Sequence, residues 1–299
     1  MRVRVVLAAL LLGAGALASA ADTKLPTVNT SPLRFALLKT GTAKSPEAMA
    51  VSGGRWFTQA SFVHSAVYVQ HPTGSFLYDT GLGAQVDAQF KAEMPWWAKP
   101  LMPYEVDSPA RQQLADAKLP LPERIFLSHG HWDHVSGLID FPDAEIWITA
   151  EEKNFLATGK PPAVLPSQVN APQLRWRQFE LLGPSYAGFA QSLDVFGDGS
   201  AILVGMPGHT PGSLGLFLTS VSGKHYFFIG DTAWHLRGVT HESPKFPVAR
   251  KLADSDPTAT LALLKQIHAL QLANPDLIVV PAHDAAVQDA VGYFPNWVE

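Results

Sequence analysis

Short apolar runs bounded by turn residues recur along the chain, and they predict the strands of a layered α/β fold. Runs of about four to eight apolar, partly β-branched residues are typical of strands buried on both faces. The sequence His71-Pro72-Thr73-Gly74 lies between two such runs and is typical of a turn, so it predicts a hairpin. The predicted strands cover residues 33–38, 62–69, 75–78, 124–128, 201–204, 225–229 and 277–280.

One long helix is predicted in the last fifth of the chain. Asp256 is a residue type that caps helix N-termini, and Pro257 has the fixed backbone angle of a first helical position. The apolar pattern then continues to about residue 274, where an Asn-Pro pair ends it. His268 lies inside this helix, and we expect it to be an ordinary helix residue.

The segment after the run at 124–128 concentrates side chains that bind metal ions. It reads Ser128-His129-Gly130-His131-Trp132-Asp133-His134, and imidazole and carboxylate are both common zinc ligands. His129 and His131 are two positions apart, so they point the same way in an extended loop. Asp133 and His134 follow, where the chain would turn into a helix. The segment predicts two adjacent metal sites that share one loop, and a solvated surface turn is the alternative.

Three later runs each end in a further candidate ligand, namely His209, Asp231 and His283. In layered α/β proteins ligands bind at the carboxyl ends of strands, so we expect these residues to join the first loop. Asp231 has two carboxylate oxygens and could bridge two ions. The predicted ligand sets are His129, His131 and His209 for one ion and Asp133, His134 and His283 for the other, with Asp231 between them.

Other polar residues near the hairpin leave more than one interpretation open. Asp79, in the turn after the second strand, is either part of a plain turn or a carboxylate that orients a metal-bound histidine. His64 and His71 are expected to be structural or solvated. His235 and His241 either line the pocket or lie in an exposed loop.

Composition and the N-terminus narrow the class of protein. The chain has 299 residues, 47% of them apolar and only 16% charged, and it has no long basic run, so nucleic acid is not an expected partner. It has no cysteine, which excludes a thiol nucleophile and cysteine-bound zinc. Residues 1–20 have the basic, apolar and small-residue series of a signal peptide, and residues 21–299 are predicted to form a single domain.

Removal of residues 1–20 changes the predicted properties of the chain. It takes away two of the 22 basic residues and none of the 26 acidic ones, so the net charge changes from −4 to −6. The protein is then expected in the periplasm or outside the cell. The apolar run is short for a membrane anchor, so no stable membrane insertion is expected, with a retained anchor as the alternative.

Two segments rich in proline and aromatic residues have open roles. Residues 91–106 include Trp96 and Trp97, and they could form core packing, a dimer contact or a wall of the substrate pocket. A homodimer therefore stays among the partners that the sequence allows. Residues 155–192 could form a lid over the site.

The ligand series resembles that of the metallo-β-lactamase superfamily. The pattern HxHxDH at 129–134, then PGHTPGS around His209, then Gly230-Asp231 and a late histidine extends from the Asp79 turn to His283. The resemblance implies a four-layer αβ/βα sandwich with the metals at one edge. It also implies two divalent ions, zinc first, with a hydroxide between them that attacks the substrate.

Details within this resemblance favour the lactonase-like hydrolases, which include the N-acyl homoserine lactonases. Diiron flavoproteins of the superfamily have Glu where this chain has His131, and true β-lactamases generally lack a bridging acid such as Asp231. Glyoxalase II has a long C-terminal extension, whereas only 16 residues follow His283 here. One departure is Trp234, since these lactonases usually place there a Tyr that contacts the substrate carbonyl. Indole donates a hydrogen bond but cannot act as an acid.

The expected function is that of an exported, dinuclear metal-dependent hydrolase that cleaves an ester-type bond, with a lactone favoured. Asp133 is expected to be a ligand that also carries the proton to the leaving group. Trp132 and Trp234 are expected to contact a small-molecule substrate, with Trp96 and Trp97 as further pocket walls. The alternatives are a β-lactam or organophosphate hydrolase on the same site, or a non-catalytic metal-binding protein.

Export should leave a defined N-terminus. We expect the natively expressed protein to begin at Ala21, because Ala18-Ser19-Ala20 is a small-residue cleavage site. Intact-mass spectrometry of the native protein checks this, and a mass that retains residues 1–20 would contradict it.

Overall fold

The computed structural model describes residues 24–26 and 32–299. The predicted signal peptide, residues 1–20, lies outside the described residues, and the single domain at 21–299 stays a prediction. The strands are β1 Arg34–Pro46, β2 Gln59–His71, β3 Gly74–Tyr78, β4 Glu105–Val106, β5 Arg124–Phe126, β6 Glu145–Ile148, β7 Arg175–Gln178, β8 Ser192–Asp194, β9 Ala201–Gly205, β10 Leu214–Thr219, β11 His225–Phe228 and β12 Ile278–Val280.

Helices connect these strands. They are α1 Glu47–Ala50, α2 Val86–Glu93, α3 Ala110–Asp116, α4 Trp132–Val135, α5 Ala150–Thr158, α6 Pro166–Val169, α7 Leu236–Thr240, α8 Pro247–Ala253, α9 Pro257–Ala273 and α10 Ala285–Val291. Short 3₁₀ turns cover Lys99–Leu101, Leu138–Asp140 and Gly230–Thr232. Within the described ranges, none of the helices has both the length and the apolar character that crossing a membrane requires.

The described strands form two sheets. One has seven strands in the order β4-β1-β2-β3-β5-β6-β7, and the other has five in the order β12-β11-β10-β9-β8. The predicted hairpin is confirmed, because β2 and β3 pair antiparallel from Val67 with Tyr78 to His71 with Gly74. From β3 onwards the first sheet is parallel through β5, β6 and β7, which places the carboxyl ends of these strands at one edge.

Three apolar layers show how the sheets and helices stack. In β10, Leu216 and Leu218 pack between the two sheets against β1 and β3, whereas Phe217 faces the other way. On that outer face Phe217 belongs to a cluster with Leu264 and Ile267 of α9. A third cluster covers the outer face of the seven-stranded sheet, where Leu156 of α5 packs. Both faces of each sheet are thus buried, which confirms the αβ/βα sandwich.

The sequence pattern located seven of the twelve described strands and the long helix, but not all of their lengths. β1 continues well beyond the apolar run at 33–38, because it pairs with β2 up to Pro46 through an irregularity between Lys39 and Gly41. The long helix is α9, and its cap is confirmed: the Asp256 carboxylate accepts hydrogen bonds from the backbone N–H groups of Thr258 and Ala259.

The ligand-bearing loops all follow strands. The loop with His129 and His131 follows β5 of the larger sheet. His209 lies beyond the end of β9, Asp231 follows β11, and His283 follows β12, all in the smaller sheet. The site therefore forms where the carboxyl ends of strands from both sheets meet.

Candidate metal centre

The conformation of the first loop separates its four candidate ligands into two pairs. His131 is extended, with φ −73° and ψ 152°, and it precedes α4, so the loop up to His131 is strand-like. Asp133 and His134 lie in the first turns of α4 and project from a helix. The predicted change from extended loop to helix is therefore present, and it aims the two pairs in different directions.

Two groups of ligand atoms meet in the centre. In the first group, Nε2 of His129 and Nε2 of His209 are 3.2 Å apart, and the His131 ring lies 4.5 Å from that of His209. In the second, Nε2 of His134 and Nε2 of His283 are 3.4 Å apart.

Asp133 joins the second group. Its Oδ2 lies 3.4 Å from Nε2 of His283 and 3.9 Å from Nε2 of His134. The structure thus brings together all the side chains that the sequence predicted for each group.

Asp231 lies between the groups with one oxygen toward each. Its Oδ2 is 3.5 Å from Nε2 of His209 and 3.9 Å from Nε2 of His129. Its Oδ1 is 3.1 Å from Nε2 of His283 and 3.4 Å from Nε2 of His134. Among the described residues Oδ1 has no hydrogen-bond partner, although it is buried. Asp231 could therefore be shared between two ions, one held by each group.

Hydrogen bonds on the far side of the imidazoles fix their orientation. Nδ1 of His283 lies 2.9 Å from the backbone oxygen of Val63, which can only accept, so this nitrogen carries the proton. Nδ1 of His209 likewise faces Oδ1 of Asp254 at 2.8 Å. In each neutral ring the proton is therefore on Nδ1 and the Nε2 lone pair points into the centre.

Asp79 performs the same function for both halves of the first loop. Its Oδ2 accepts from Nδ1 of His134 at 2.8 Å and from Oγ of Ser128 at 2.6 Å. Because Oγ of Ser128 donates to Asp79, it accepts from Nδ1 of His129, which is 2.8 Å away. Oδ1 of Asp79 accepts from the backbone N–H of Ser128 at 2.7 Å. Of the two interpretations of Asp79, the structure therefore supports the orienting carboxylate.

The donor set fits divalent ions. Unprotonated nitrogens that face one another and a carboxylate repel unless a cation lies among them. Nitrogen ligands about 2.0–2.1 Å from a tetrahedral ion are about 3.3 Å apart, which agrees with the 3.2 Å and 3.4 Å separations of the Nε2 pairs. The chemistry and the spacing of both groups therefore suit zinc-like ions.

Burial and charge act differently on the two groups. Burial, assisted by the neighbouring His209, lowers the pKa of His131 to about 3, so that its ring is neutral and ready to bind a metal ion. Burial also lowers the pKa of His129 and of His209. For His134, burial acts in the same direction, but Asp231 and Asp133 outweigh it and raise the pKa of His134 well above its ordinary value. The carboxylates around the second group therefore favour a positive charge there more strongly than burial disfavours it.

Glu152 of α5, which the sequence did not single out, holds the two ligand loops together. Its Oε1 accepts from the backbone N–H of Gly130 at 2.6 Å, and its Oε2 accepts from the backbone N–H of Gly212 at 2.9 Å and from Oγ1 of Thr210 at 2.7 Å. A Cβ at Gly212 would collide with Thr149 and with Glu152 itself, so glycine permits this close approach. Burial raises the pKa of Glu152 to about 7.

Two further residues beside the candidate ligands were missed or assigned a different role from the sequence. His64 was expected to be structural or solvated, but it is buried at the centre, with Nδ1 3.2 Å from Oδ2 of Asp133 and its ring 5.1 Å from that of His283. Its only sequence signal was its place in β2. Asp254 had none, because it reaches His209 only through tertiary packing. His71 pairs with Asp198 at 3.0 Å, which agrees with a structural role.

The tryptophans divide into two pairs. Trp132 and Trp234 line a pocket over the centre, and their contact with a substrate stays a prediction. The indole N–H of Trp234 donates to Oδ2 of Asp231 at 2.8 Å, so Trp234 also orients the Asp231 carboxylate. The prediction that Trp96 and Trp97 are pocket walls was wrong: they are 84% and 41% exposed and do not line the pocket. The wall in this segment is Leu101, Met102 and Pro103.

Little of the segment 155–192 lies at the pocket. Trp176, Phe179 and Phe189 pack in the apolar layers on the sheets, and only Pro162 and Ala163 reach the pocket. A lid made by the whole segment is therefore ruled out. His235, with Nδ1 3.9 Å from Oδ2 of Asp284, does not line this pocket, and His241 is exposed.

Comparison with known proteins places these features in a family. The model of the Metallo-beta-lactamase superfamily matches residues 61–283. A probable metallo-hydrolase of Mycobacterium tuberculosis is 27% identical over 253 residues, which cover 72% of this chain and 73% of that protein. A cytochrome P450 monooxygenase of Penicillium brevicompactum is 28% identical over 200 residues. That match covers 58% of this chain, and the chain spans only 23% of that relative's length.

Solved structures share the fold. AiiA of B. thuringiensis, a mutant with N-decanoyl-L-homoserine bound at the active site, has a TM-score of 0.70 at 16% identity and covers 90% of this chain and 100% of its own. AidC, a dizinc quorum-quenching lactonase in complex with a product, has a TM-score of 0.58 at 18% identity, covering 88% of this chain and 91% of its own.

Replacement of Asp79 tests whether one carboxylate orients both groups. Asp79→Asn keeps a residue type that tolerates the φ of 60° found here. The new amide N–H₂ either faces Nδ1 of His134 and Oγ of Ser128, which both donate, or faces the backbone N–H of Ser128, which then loses its acceptor. We expect zinc affinity to fall about 10–100-fold, the usual cost of losing such a partner, in a competition titration. Asp194→Asn, which removes a carboxylate that caps a distant loop, should leave zinc affinity unchanged; equal affinity in both variants would contradict the orienting role.

Proposed function

Because the chain belongs to the metallo-beta-lactamase superfamily, we propose that it is a dinuclear metal-dependent hydrolase that opens an ester-type bond, with lactones as the first candidate substrates. The family and the metallo-hydrolase relatives support the coarse assignment, a metal-dependent hydrolase. The observation that carries the finer one is the position of the Asp231 carboxylate, with one oxygen toward each histidine group.

The residues that would hold the ions follow from the two groups. His129, His131 and His209 would hold one ion, and Asp133, His134 and His283 the other, with Asp231 shared. When bound, two divalent ions, zinc first, would supply Lewis acidity and a water nucleophile of lowered pKa. No nucleophilic side chain of the protein is then needed for acyl transfer.

Asp133 is the group placed to handle the proton of the leaving alcohol. Its carboxylate lines the pocket and lies beside both His283 and His64. Burial opposes ionisation, but His134 and His64 lower the pKa of Asp133 below its ordinary value. Asp133 is therefore ionised before reaction, and it can accept a proton and pass it to the departing oxygen.

The pocket walls suit an apolar substrate. Met49, Phe62, Leu101, Met102 and Leu252 surround the opening over the centre. Lys44 is the one lysine or arginine that lines it among the described residues. Apart from the metal-facing groups the wall is uncharged for the most part, so an acyl or aryl group fits it better than a phosphate. Lactonases among the similar structures support a lactone as the first choice.

Trp234 replaces the tyrosine of the lactonase-like proteins in position but not in chemistry. Its N–H is already donated to Asp231. We therefore propose that the substrate carbonyl is not held by residue 234, which leaves the acyl chain or ring as the main point of recognition. Export to the periplasm or the medium is also proposed, on the residues 1–20 that lie outside the described range, and a homodimer stays a proposal.

Metal-loaded protein should open short- and long-chain lactones with release of a proton, and chelators should abolish this. His131→Ala and Asp231→Ala each remove a ligand, so we expect a loss of at least about 100-fold in kcat/KM, whereas Trp234→Phe removes one hydrogen bond and should cost less. A pH-indicator assay with lactones, aryl esters, a β-lactam and a phosphotriester measures all of these.

The panel also contains the contradicting result. Turnover of the β-lactam or the phosphotriester with no turnover of lactones and aryl esters would overturn the substrate assignment and leave the metal centre in place. Full activity of Asp231→Ala would contradict the centre itself.

A further inference from the structure

A buried lysine lies behind the first histidine group. Lys245 precedes α8, and only 2% of its surface is exposed. Its Nζ donates to Oδ1 of Asp254, the residue just after α8, over 2.7 Å. The same oxygen accepts from Nδ1 of His209 at 2.8 Å. Lysine is almost never fully buried unless its charge is paired. The Lys245–Asp254 ion pair therefore belongs to the packed structure around the site.

Lys245 also contacts the residue that holds the bridging carboxylate. Its Nζ lies 5.5 Å from the centroid of the Trp234 ring, within the about 6 Å range of cation–π contacts. The N–H of Trp234 in turn donates to Oδ2 of Asp231. One ammonium group thus lies behind both His209 of the first group and Asp231, which lies between the two groups.

The two buried charges depend on each other. Oδ2 of Asp254 has no hydrogen-bond partner among the described residues, so Oδ1 alone receives both Lys245 and His209. Without the ammonium group, this carboxylate would be buried with a single neutral donor, which is costly. It would then turn away or take up a proton, and the orientation of His209 would no longer be fixed.

The backbone around α8 joins this pair to the ligand loop and to the pocket. The N–H of Ser255 donates to the backbone oxygen of His209 at 2.9 Å, and the N–H of Asp256 donates to that of Gly208 at 2.8 Å. Between Lys245 and Asp254, α8 contributes Ala249 and Leu252 to the pocket wall. The Lys245–Asp254 ion pair therefore joins the two ends of a segment that forms part of the pocket wall. This segment is also hydrogen-bonded to the loop that contains His209.

We propose that Lys245 is a positioning residue of the metal centre, which acts through Asp254 to fix His209. The inference rests on the proposed dinuclear centre. It assigns Lys245 to one ion, the one that His129, His131 and His209 would hold. Loss of Lys245 should therefore weaken one of two zinc sites.

A zinc competition titration of the full chain tests this without measuring hydrolysis. Wild type should bind two zinc ions. In Lys245→Met one binding step should weaken about 10-fold or more, in line with the 10–100-fold cost of losing partners behind a ligand, while the other changes less than about twofold. Lys251→Met, at an exposed lysine of α8, is the matched control and should match wild type.

A nitrogen-15 NMR measurement on zinc-loaded protein supplies a second readout that a general loss of stability would not move. The Nδ1 resonance of His209 should shift in Lys245→Met because its acceptor is displaced, while the Nδ1 resonance of His283, bonded to a backbone oxygen, should stay in place. Unchanged His209 in a folded Lys245→Met protein would overturn the inference.

A double-mutant cycle shows whether Lys245 acts through Asp254. The variant Lys245→Met with Asp254→Asn has no unpaired buried charge, so it keeps the test valid if Lys245→Met alone does not fold. Its zinc affinity should equal that of Asp254→Asn within about twofold. A further weakening of about tenfold in the double variant would overturn the route through Asp254.

The failure of the dinuclear centre and the failure of the Lys245 proposal give different results. Wild-type protein that binds fewer than two zinc ions would overturn both. Two unchanged zinc affinities in Lys245→Met would overturn only the role of Lys245.

Discussion

The hydrogen bond at Nδ1 of four of the five candidate metal-ligating histidines, namely His129, His134, His209 and His283, is the constraint on which the centre depends. A neutral imidazole carries one proton, so an acceptor at Nδ1 leaves the lone pair on Nε2. Asp254 does this for His209, Asp79 for His134, and the backbone oxygen of Val63 for His283. The ligand atoms face one another because groups outside the centre determine where the protons are.

These acceptors exist because the fold holds distant segments in register. Asp79 follows the hairpin of β2 and β3, and it lies beside Ser128 because β3 and β5 are parallel neighbours. Val63 belongs to β2, whereas His283 follows β12 of the other sheet, so their bond joins the two sheets. The apolar layer between the sheets therefore positions the candidate metal ligands as well as stabilising the fold.

The fold and the candidate ligands could be predicted because their signals are local. Buried strands are continuous apolar runs, and His129 to His134 lie within six positions. Asp254, Glu152, Lys245 and the role of His64 could not be predicted, because each acts through a contact made only in the folded chain and has no spacing of its own. The positions of Trp96 and Trp97 were predicted wrongly from a local signal. Aromatic residues between prolines suggest a pocket wall, but these two side chains are exposed to solvent.

The central claim is that Asp231 bridges two ions, and its most direct test is a crystal structure of zinc-loaded protein with anomalous data at the zinc edge. Two anomalous peaks about 3.5–4 Å apart are expected, with Oδ2 of Asp231 bound to the ion held by His129, His131 and His209, and Oδ1 bound to the other. A single peak, or two peaks with Asp231 bound to only one of them, would contradict it.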